Sequence, residues 1–217
     1  MGDTEHGAPS SRRPEDGRLA LAALLAGNAA TLAIAIAQGW SMAALLLPYW
    51  LQSVAIGAFN VRRILALRRF STKGLSSGGQ RVPETREGQV STARFFAFHF
   101  GGFHLGYLLF VLATPPAAGE WPWLAACAAA LLVAQWREHR ADVRDDAAGR
   151  PNLGLLMFAP YVRVVPMHLT AIFAIGAEGA AAMLWFGLLK TLADVGAWAI
   201  DRALFARARA GVEADAG

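Results

Sequence analysis

The sequence predicts an all-α fold, a polytopic membrane bundle of six transmembrane helices with its N- and C-termini in the cytoplasm. Hydrophobic residues make up 55% of the 217-residue chain and the mean hydropathy is +0.36, whereas about 45–50% apolar residues is usual for a soluble domain. Of the 20 lysines and arginines, all but Arg163 and Lys190 flank the apolar stretches, on alternate sides. Because positive charge stays on the cytoplasmic side of a membrane, this alternation predicts six spans and places both chain ends inside.

The apolar stretches define the order of the predicted elements. Residues 1–17 are polar and rich in Gly, Pro and charge, which is typical of a disordered cytoplasmic tail. The transmembrane domain covers residues 18–205, and residues 206–217 form a second cytoplasmic tail. Six spans of about 20 residues each, the length that crosses a bilayer, leave no room for a separate soluble domain. The predicted spans are 18–38, 42–67, 91–113, 121–136, 153–175 and 180–205.

The first span could be either a signal peptide or a retained anchor. Its basic start and the Ala35-Ile36-Ala37 sequence resemble a cleavable signal. Its apolar stretch is longer than the roughly 7–15 residues of a signal peptide, which favours a retained anchor. Cleavage would leave five spans and would not change the orientation of the others.

Aromatic residues support the same orientation, because Trp and Tyr concentrate at the membrane–water interfaces. Those predicted at the outer interface are Trp40, Tyr49, Trp50, Trp121 and Trp123. On the inner side, the segment 68–91 is expected to be a flexible cytoplasmic loop, and Arg137 to Pro151 a shorter one. The longer loop contains the turn-forming residues Gly74, Gly78, Gly79 and Pro83.

Composition excludes several function classes. Cys127 is the only cysteine, so an intramolecular disulfide and cysteine-based zinc or redox motifs are excluded. The net charge is +4, but it follows the predicted topology and no nucleic-acid motif accompanies it. We therefore expect the basic residues to lie against anionic lipid head groups, and we expect no nucleic-acid partner.

Polar side chains inside the predicted spans are the best functional leads, because a charged group in hydrocarbon is costly unless it is paired or faces protein or water. Helical spacing puts Tyr49, Gln52, Ser53 and Asn60 on one face of the second span, together with the apolar Ile56. The remaining candidates lie on the third, fifth and sixth spans and are His99, His104, Tyr107, Arg163, His168, Lys190 and Asp194.

Depth along the helices suggests that these groups meet. A rise of about 1.5 Å per residue places His104, His168 and Lys190 near the membrane midplane. The groups expected nearer the cytoplasm are His99, Arg163 and Asp194, with Asn60 slightly lower. The third, fifth and sixth spans are thus expected to bring charge-capable groups into one polar cluster.

Each of these groups also has a purely structural interpretation. Lys190 and Asp194 are four residues apart, so they can form an ion pair, and that pair is equally compatible with packing alone. Arg163 is expected to bond either Asp194 or backbone carbonyls freed by Pro166. A lone buried histidine is more often structural than functional.

Metal or cofactor binding is permitted by the spacing without being signalled by it. Zinc takes three or four ligands in tetrahedral geometry, and His104, His168 and Asp194 are the candidate set. A haem between His104 and His168 is likewise permitted. His99 and His104 lie about 140° apart around a regular helix, so they do not converge on one ion.

Other sequence patterns are less informative. No G-x-S-x-G motif is present and Ser53 has no base beside it in sequence, so a rhomboid-like serine protease is not favoured. The Gly102-x-x-x-Gly106 pattern lets helices approach closely. Internal packing is favoured for it over homodimerisation, although a homo-oligomer is left open.

Short motifs on the predicted spans carry a family resemblance over about residues 19–205. They comprise Tyr49-Trp50 with Gln52, Gly57, Phe59, Asn60 and Arg62; Phe95-Phe96 with His99, Gly101 and Phe103; Arg163 with His168; and Lys190-Thr191 with Asp194. Together they resemble an uncharacterised bacterial integral-membrane family, a domain of unknown function. The resemblance implies a compact six-helix membrane domain and no particular activity.

This chain departs from the family pattern at three positions. Members often carry an acidic residue at the position of Gln52, and histidines at the position of Tyr107 and near Trp198. If those positions form a metal site in relatives, that site is depleted here.

The sequence leaves three functions open for a multi-pass protein of the bacterial inner membrane. The first is binding or translocation of a small ion or polar solute, with Arg163 and Lys190 attracting an anionic group. Asp194 and the histidines would accept or relay protons, and Gln52, Asn60 and Tyr107 would orient the ligand. The second is a zinc-dependent hydrolase acting on a lipid. The third is a structural or scaffolding subunit.

Overall fold

The computed structural model describes residues 14–113, 115–173 and 179–216. Six α-helices fill most of these ranges: α1 (Pro14–Ala37), α2 (Met42–Ala66), α3 (Arg86–Ala113), α4 (Trp121–Ala148), α5 (Leu153–Phe173) and α6 (Ala180–Ala216). A short antiparallel hairpin of β1 (Ser76–Ser77) and β2 (Gln80–Arg81) lies between α2 and α3. A 3₁₀ turn, Ala118–Glu120, precedes α4.

The predicted mostly helical fold is confirmed, and the helix ends differ from the predicted ones. The largest difference is in α4, which continues to Ala148 through residues expected to be a loop. It does so because its buried polar residues Gln135, His139, Asp142 and Asp146 recur every three or four positions, the spacing of one helix face. α6 likewise continues to Ala216 through the expected tail, and α1 begins at Pro14. Residues 1–13 of the other predicted tail lie outside the described residues.

α2 is the central helix of the bundle. It packs against α3, α4 and α5, while α1 and α5 both pack against α6. One close approach is at Gly57, where an added Cβ atom would lie 2.6 Å from the Phe100 ring of α3. Glycine is therefore required there for α2 and α3 to pack as closely as they do.

Three described helical stretches are long and apolar enough to cross a membrane: Met42–Ala66, Arg86–Ala113 and Ala180–Ile200. Shorter apolar stretches lie at Leu21–Ala37 and Leu153–Pro166. Large apolar side chains also cover the outside of the bundle. For example, Phe98 is 82% exposed, Trp185 67% and Leu109 66%.

The two connections at one end of the bundle are bonded to each other. Ser71 N donates to the Pro151 carbonyl at 2.9 Å, and Leu153 N donates to the Ser71 carbonyl at 2.8 Å. Glu84 forms an ion pair with Arg150 at 2.6 Å. The segment expected to be a flexible loop therefore has a defined conformation, because its backbone pairs with the α4–α5 connection.

Candidate functional site

The predicted polar face of α2 is buried against neighbouring helices. Each of its members is less than a tenth exposed: Tyr49, Gln52, Ser53, Ile56 and Asn60. The face continues for one turn to Arg63, which is also buried. Residues three apart lie on the same side of a helix, so Asn60 and Arg63 can act together.

A charged pocket of about 40 Å³ lies between α2, α4, α5 and α6. We use this name for the pocket and its polar lining, which consists of Asn60, Arg63, Gln135, Glu138, His139, Asp142 and Arg163. About 10–15 Å³ is enough to hold one water molecule. The pocket therefore admits a few waters or a small ion and is too small for an organic substrate.

Arg63 joins α2 to α4 at this pocket. Its Nε and Nη2 atoms donate to the carboxylate of Asp146, with 3.0 Å between Nη2 and Oδ1, and its Nη1 donates to Asp142 Oδ2 at 3.2 Å. All three residues are buried. A planar guanidinium suits such two-pronged binding of carboxylates, so Arg63 fixes the charged half of α4 against α2.

Arg163 on α5 forms a second ion pair with α4. Its Nη2 donates to Glu138 Oε1 at 2.8 Å, and its Nη1 donates to Glu138 Oε2 at 3.2 Å and to Gln135 Oε1 at 3.3 Å. The Arg163 side chain is 7% exposed and the Glu138 side chain 23%. Arg163 is therefore on the interior side of the charged pocket, and Glu138 is on its more exposed side. Glu138 was not among the predicted partners because it lay in the expected loop.

His139 completes the titratable lining of the charged pocket. It lies on the part of α4 beyond the predicted fourth span and stacks on Phe59, with ring centroids 4.6 Å apart. Burial lowers the pKa of His139, and the guanidinium groups of Arg62 and Arg63 lower it further, whereas Asp146 raises it. A lowered pKa keeps the imidazole neutral at pH 7, so one ring nitrogen can accept a proton.

The predicted ion pair between Lys190 and Asp194 forms within α6. Asn28 of α1 donates to Asp194 Oδ2 at 2.9 Å. Asp194 is 1% exposed and Lys190 5%. The pair is therefore buried at the contact between α6 and α1.

His104 bonds Ser53 across the interface between α2 and α3. Its Nδ1 lies 2.8 Å from the Phe100 carbonyl, which can only accept, so Nδ1 carries the hydrogen. Nε2 then accepts from the Ser53 hydroxyl at 2.7 Å. The structure thus supplies the base that the sequence did not show beside Ser53. Both residues are buried, and the bond ties α3 to α2.

His99 and His168 each bond a tyrosine where α3 meets α5. The distance is 2.8 Å from His99 Nδ1 to the Tyr161 hydroxyl, and 2.7 Å from His168 Nδ1 to the Tyr107 hydroxyl. Both imidazoles are exposed on the outside of the bundle. Neither of them lines the charged pocket.

The structure thus divides the predicted polar cluster into several pairs. Of the predicted residues, Asn60 and Arg163 line the charged pocket. The Asn60 side-chain nitrogen donates to the Leu156 carbonyl at 3.0 Å, which leaves its oxygen as an acceptor. Gln52 Oε1 is buried with no hydrogen-bond partner among the described residues.

The three residues proposed as zinc ligands are held by different partners. His104 bonds Ser53, His168 bonds Tyr107, and Asp194 bonds Lys190 and Asn28. Within the described parts of the chain, no group of three or more His, Cys, Asp or Glu residues is arranged to hold a metal ion. The geometry therefore gives no support to the zinc-dependent hydrolase.

Sequence reasoning missed most of the charged pocket. In the sequence, Arg63 is indistinguishable from the other basic residues that flank the spans, and low hydropathy predicts a loop for the acidic half of α4. One available signal was the helical spacing of the apolar and polar residues along that segment: Leu124, Cys127, Ala128, Leu131, Gln135, His139, Asp142 and Asp146, all of them buried.

Comparison with known proteins gives a family and no activity. A family of unknown function, DUF6498, matches residues 10–211. No curated protein and no solved structure matches the chain.

Proposed function

The chain belongs to this family of unknown function, and we propose that it is a six-span membrane protein whose charged pocket binds and translocates a small ion. The observation that carries the proposal is the pocket itself. Two guanidinium groups, two carboxylates and an imidazole line a space of about 40 Å³ between four helices. Buried charged groups are expensive, and a purely structural ion pair requires no adjacent space for water.

Exposed apolar surface and charge segregation support the membrane location. Large apolar side chains such as Phe98 and Trp185 point outward, where a soluble protein would place polar groups. The basic connections after α2 and α4 are bonded to one another, so they lie at one end of the bundle. That end is the cytoplasmic one by the charge rule. We place both termini on the same side and assign the protein to a bacterial inner membrane.

A proton is the ion that suits the charged pocket best. Glu138, His139 and Asp142 can each exchange a proton, and the pocket has room for water molecules between them. A metal cation is less well served, because no three metal-binding side chains converge among the described residues. Glu138 is the more exposed of the two acidic groups that line the charged pocket: its side chain is 23% exposed, against 10% for Asp142. Glu138 is therefore the point where a proton would enter.

The ion pairs suggest how a proton would move. Protonation of Glu138 would remove the charge that holds Arg163, and Arg163 would then shift toward the other acceptors of the charged pocket. His139, which is neutral at pH 7, can accept the proton from Glu138 or from a water between them.

Proton flux into liposomes tests this proposal. We would reconstitute the full chain, impose a membrane potential with potassium and valinomycin, and follow internal pH with a trapped dye. The wild type should acidify the lumen faster than protein-free liposomes do, and Glu138→Gln should abolish the difference. Glu120→Gln, the same chemical change at a position outside the charged pocket, should behave like the wild type.

Two results would contradict the proposal. Flux equal to that of protein-free liposomes would leave the ion pairs of the charged pocket with a packing role, as in a scaffolding subunit. Flux that persists unchanged in Glu138→Gln would show that protons cross elsewhere. Thermal stability of each variant in detergent would confirm that it is folded.

A further inference from the structure

His99 and His168 are exposed imidazoles on an apolar surface. Each uses Nδ1 for its bond to a tyrosine hydroxyl, at 2.8 Å and 2.7 Å, and neither has a hydrogen bond at Nε2 within the described residues. In a bilayer, an unpaired polar nitrogen at the surface of a helix is unfavourable, because lipid chains offer no hydrogen bond. We therefore expect the two imidazoles to bind a molecule with polar groups that reaches this surface from within the membrane.

One aromatic ring contacts both imidazoles. The Phe103 ring centroid is 5.0 Å from that of His99 and 6.0 Å from that of His168, both edge-on. Phe103 is 40% exposed, so one side of its ring is available for contact. A second flat ring could pack beside Phe103 while its two ends reach the two Nε2 atoms.

Glycines leave a recess beside this aromatic ring. Gly102 and Gly106 share the helix face of His99 and Phe103, both are exposed, and a Cβ atom added to either would meet nothing within 4 Å. The Gly102-x-x-x-Gly106 pattern is therefore on the outside of the bundle, and it does not serve the internal packing expected from the sequence. The recess gives a flat molecule space to lie against the α3 backbone.

The hydrogen-bond chemistry selects the class of ligand. If each tyrosine hydroxyl donates to Nδ1, each imidazole carries its hydrogen on Nε2 and presents a donor to the membrane. Two donors on either side of an aromatic ring match a flat ring with an acceptor at each end. We propose that His99 and His168 form a binding site for a quinone, with its ring beside Phe103 and its two carbonyl oxygens accepting from the Nε2 atoms.

This inference depends on the proposed membrane location and is independent of the proton pathway. His99 and His168 do not line the charged pocket, so either proposal can fail without the other. The main competing occupant is a second copy of the chain, because exposed Gly-x-x-x-Gly patterns also support helix pairing in membranes.

Titration of detergent-purified protein with a short-chain ubiquinone tests the site, with bound quinone measured by equilibrium dialysis against empty micelles. The wild type should bind one quinone saturably. His99→Leu and His168→Leu should each weaken binding about tenfold, the loss expected for one hydrogen bond. Gly106→Leu should also weaken it by filling the recess, and this variant has space to fold normally.

Two control variants and a measurement of the mass of the protein oligomer distinguish the possible results. Phe98→Leu, on a neighbouring exposed part of α3, and Glu138→Gln should both bind quinone like the wild type. Absence of saturable binding, or equal binding by the histidine, glycine and control variants, would overturn the proposal. A dimer that dissociates in Gly106→Leu, with no saturable quinone binding, would also overturn it and assign this surface to a second copy. Unchanged elution and melting temperature identify the variants that are folded.

Discussion

Asp194 bonds the buried polar side chains of α1 and α6 to one another. It accepts from Lys190 on its own helix and from Asn28 on α1 at 2.9 Å, and it is 1% exposed. Breaking a buried ion pair by removing one partner costs about 3–5 kcal/mol, because the other charge is left uncompensated. We therefore expect Asp194→Asn to lower the free energy of unfolding by an amount in this range, measured by denaturant titration in detergent.

A double variant separates the loss of the pair from the burial of an unpaired charge. Lys190→Met combined with Asp194→Asn removes both charges, fills similar volumes and keeps an acceptor for Asn28, so it should recover most of the stability lost in the single Asp194→Asn variant. Lys73→Met, at an exposed lysine, provides the control for the lysine change. Equal stability of the wild type and Asp194→Asn would show that the pair does not stabilise the fold.

A side-chain contact was predictable from the sequence where its two residues are close together along the chain. The Lys190–Asp194 pair follows from its spacing of four residues, and the structure contains it. The pairing of Arg163 with Glu138 joins residues on different helices, so it depends on how α5 packs against α4. No local pattern contains that information, and the bond between His104 and Ser53 was missed for the same reason.

At the level of elements, Glu84 holds the β-hairpin segment against the start of α5. Its carboxylate accepts from the Thr72 backbone N–H at 3.1 Å, from Arg81 at 3.0 Å and from Arg150 at 2.6 Å. The Thr72 N–H, followed by Arg150, lowers the pKa of Glu84 below its ordinary value. A carboxylate with a lowered pKa stabilises the folded form wherever it is ionised.

The expected pH dependence follows from the direction of this shift. The contribution of Glu84 is fully present above the ordinary carboxyl pKa of about 4.3, and it is lost as the pH falls through the lowered pKa of the folded state. Hydrogen exchange at the Thr72 amide, corrected for the intrinsic effect of pH, should therefore show constant protection at higher pH. Protection should fall under more acidic conditions.

Substitution of Glu84 should remove the same contribution at neutral pH. Glu84→Gln should lower the local opening free energy at Thr72 by about 1 kcal/mol, the upper end for an exposed ion pair, and should abolish the acid-dependent change. Glu87→Gln, the same change in the first turn of α3, should exchange like the wild type. Identical protection in all three proteins would show that Glu84 does not hold this segment.

Hydropathy alone predicts some helices of this protein correctly and ends another too early. Apolar length identified α2, α3 and α6, which are the stretches long and apolar enough to span. It ended the fourth element at Trp136, although α4 continues to Ala148. The charged half of α4 is helical because Asp142 and Asp146 are neutralised by Arg63 of α2, and hydropathy does not register a charge that is buried by a partner.

At the scale of the whole molecule, the same charges carry two kinds of information. The arginines and lysines between the apolar stretches predict which end of the bundle faces the cytoplasm, and the hydrogen bonds between the two basic connections place them at a common end. Arg63 belongs to that charge pattern and also lines the charged pocket. The sequence could therefore predict a mostly helical fold while concealing the pocket, because a charge that marks topology and a charge that lines a pocket look alike along the chain.

The proposed orientation can be measured with single cysteines. Cys127 is buried in α4, so Cys127→Ala gives a parent without other thiols. Ser77→Cys lies in the connection between α2 and α3, and Ala118→Cys lies in the turn before α4; both positions are exposed. If the basic end is cytoplasmic, a membrane-impermeant maleimide should label Ala118→Cys in intact spheroplasts and Ser77→Cys only in inverted vesicles. The reverse pattern would invert the topology, and labelling of both from one side would show that α3 does not cross the membrane.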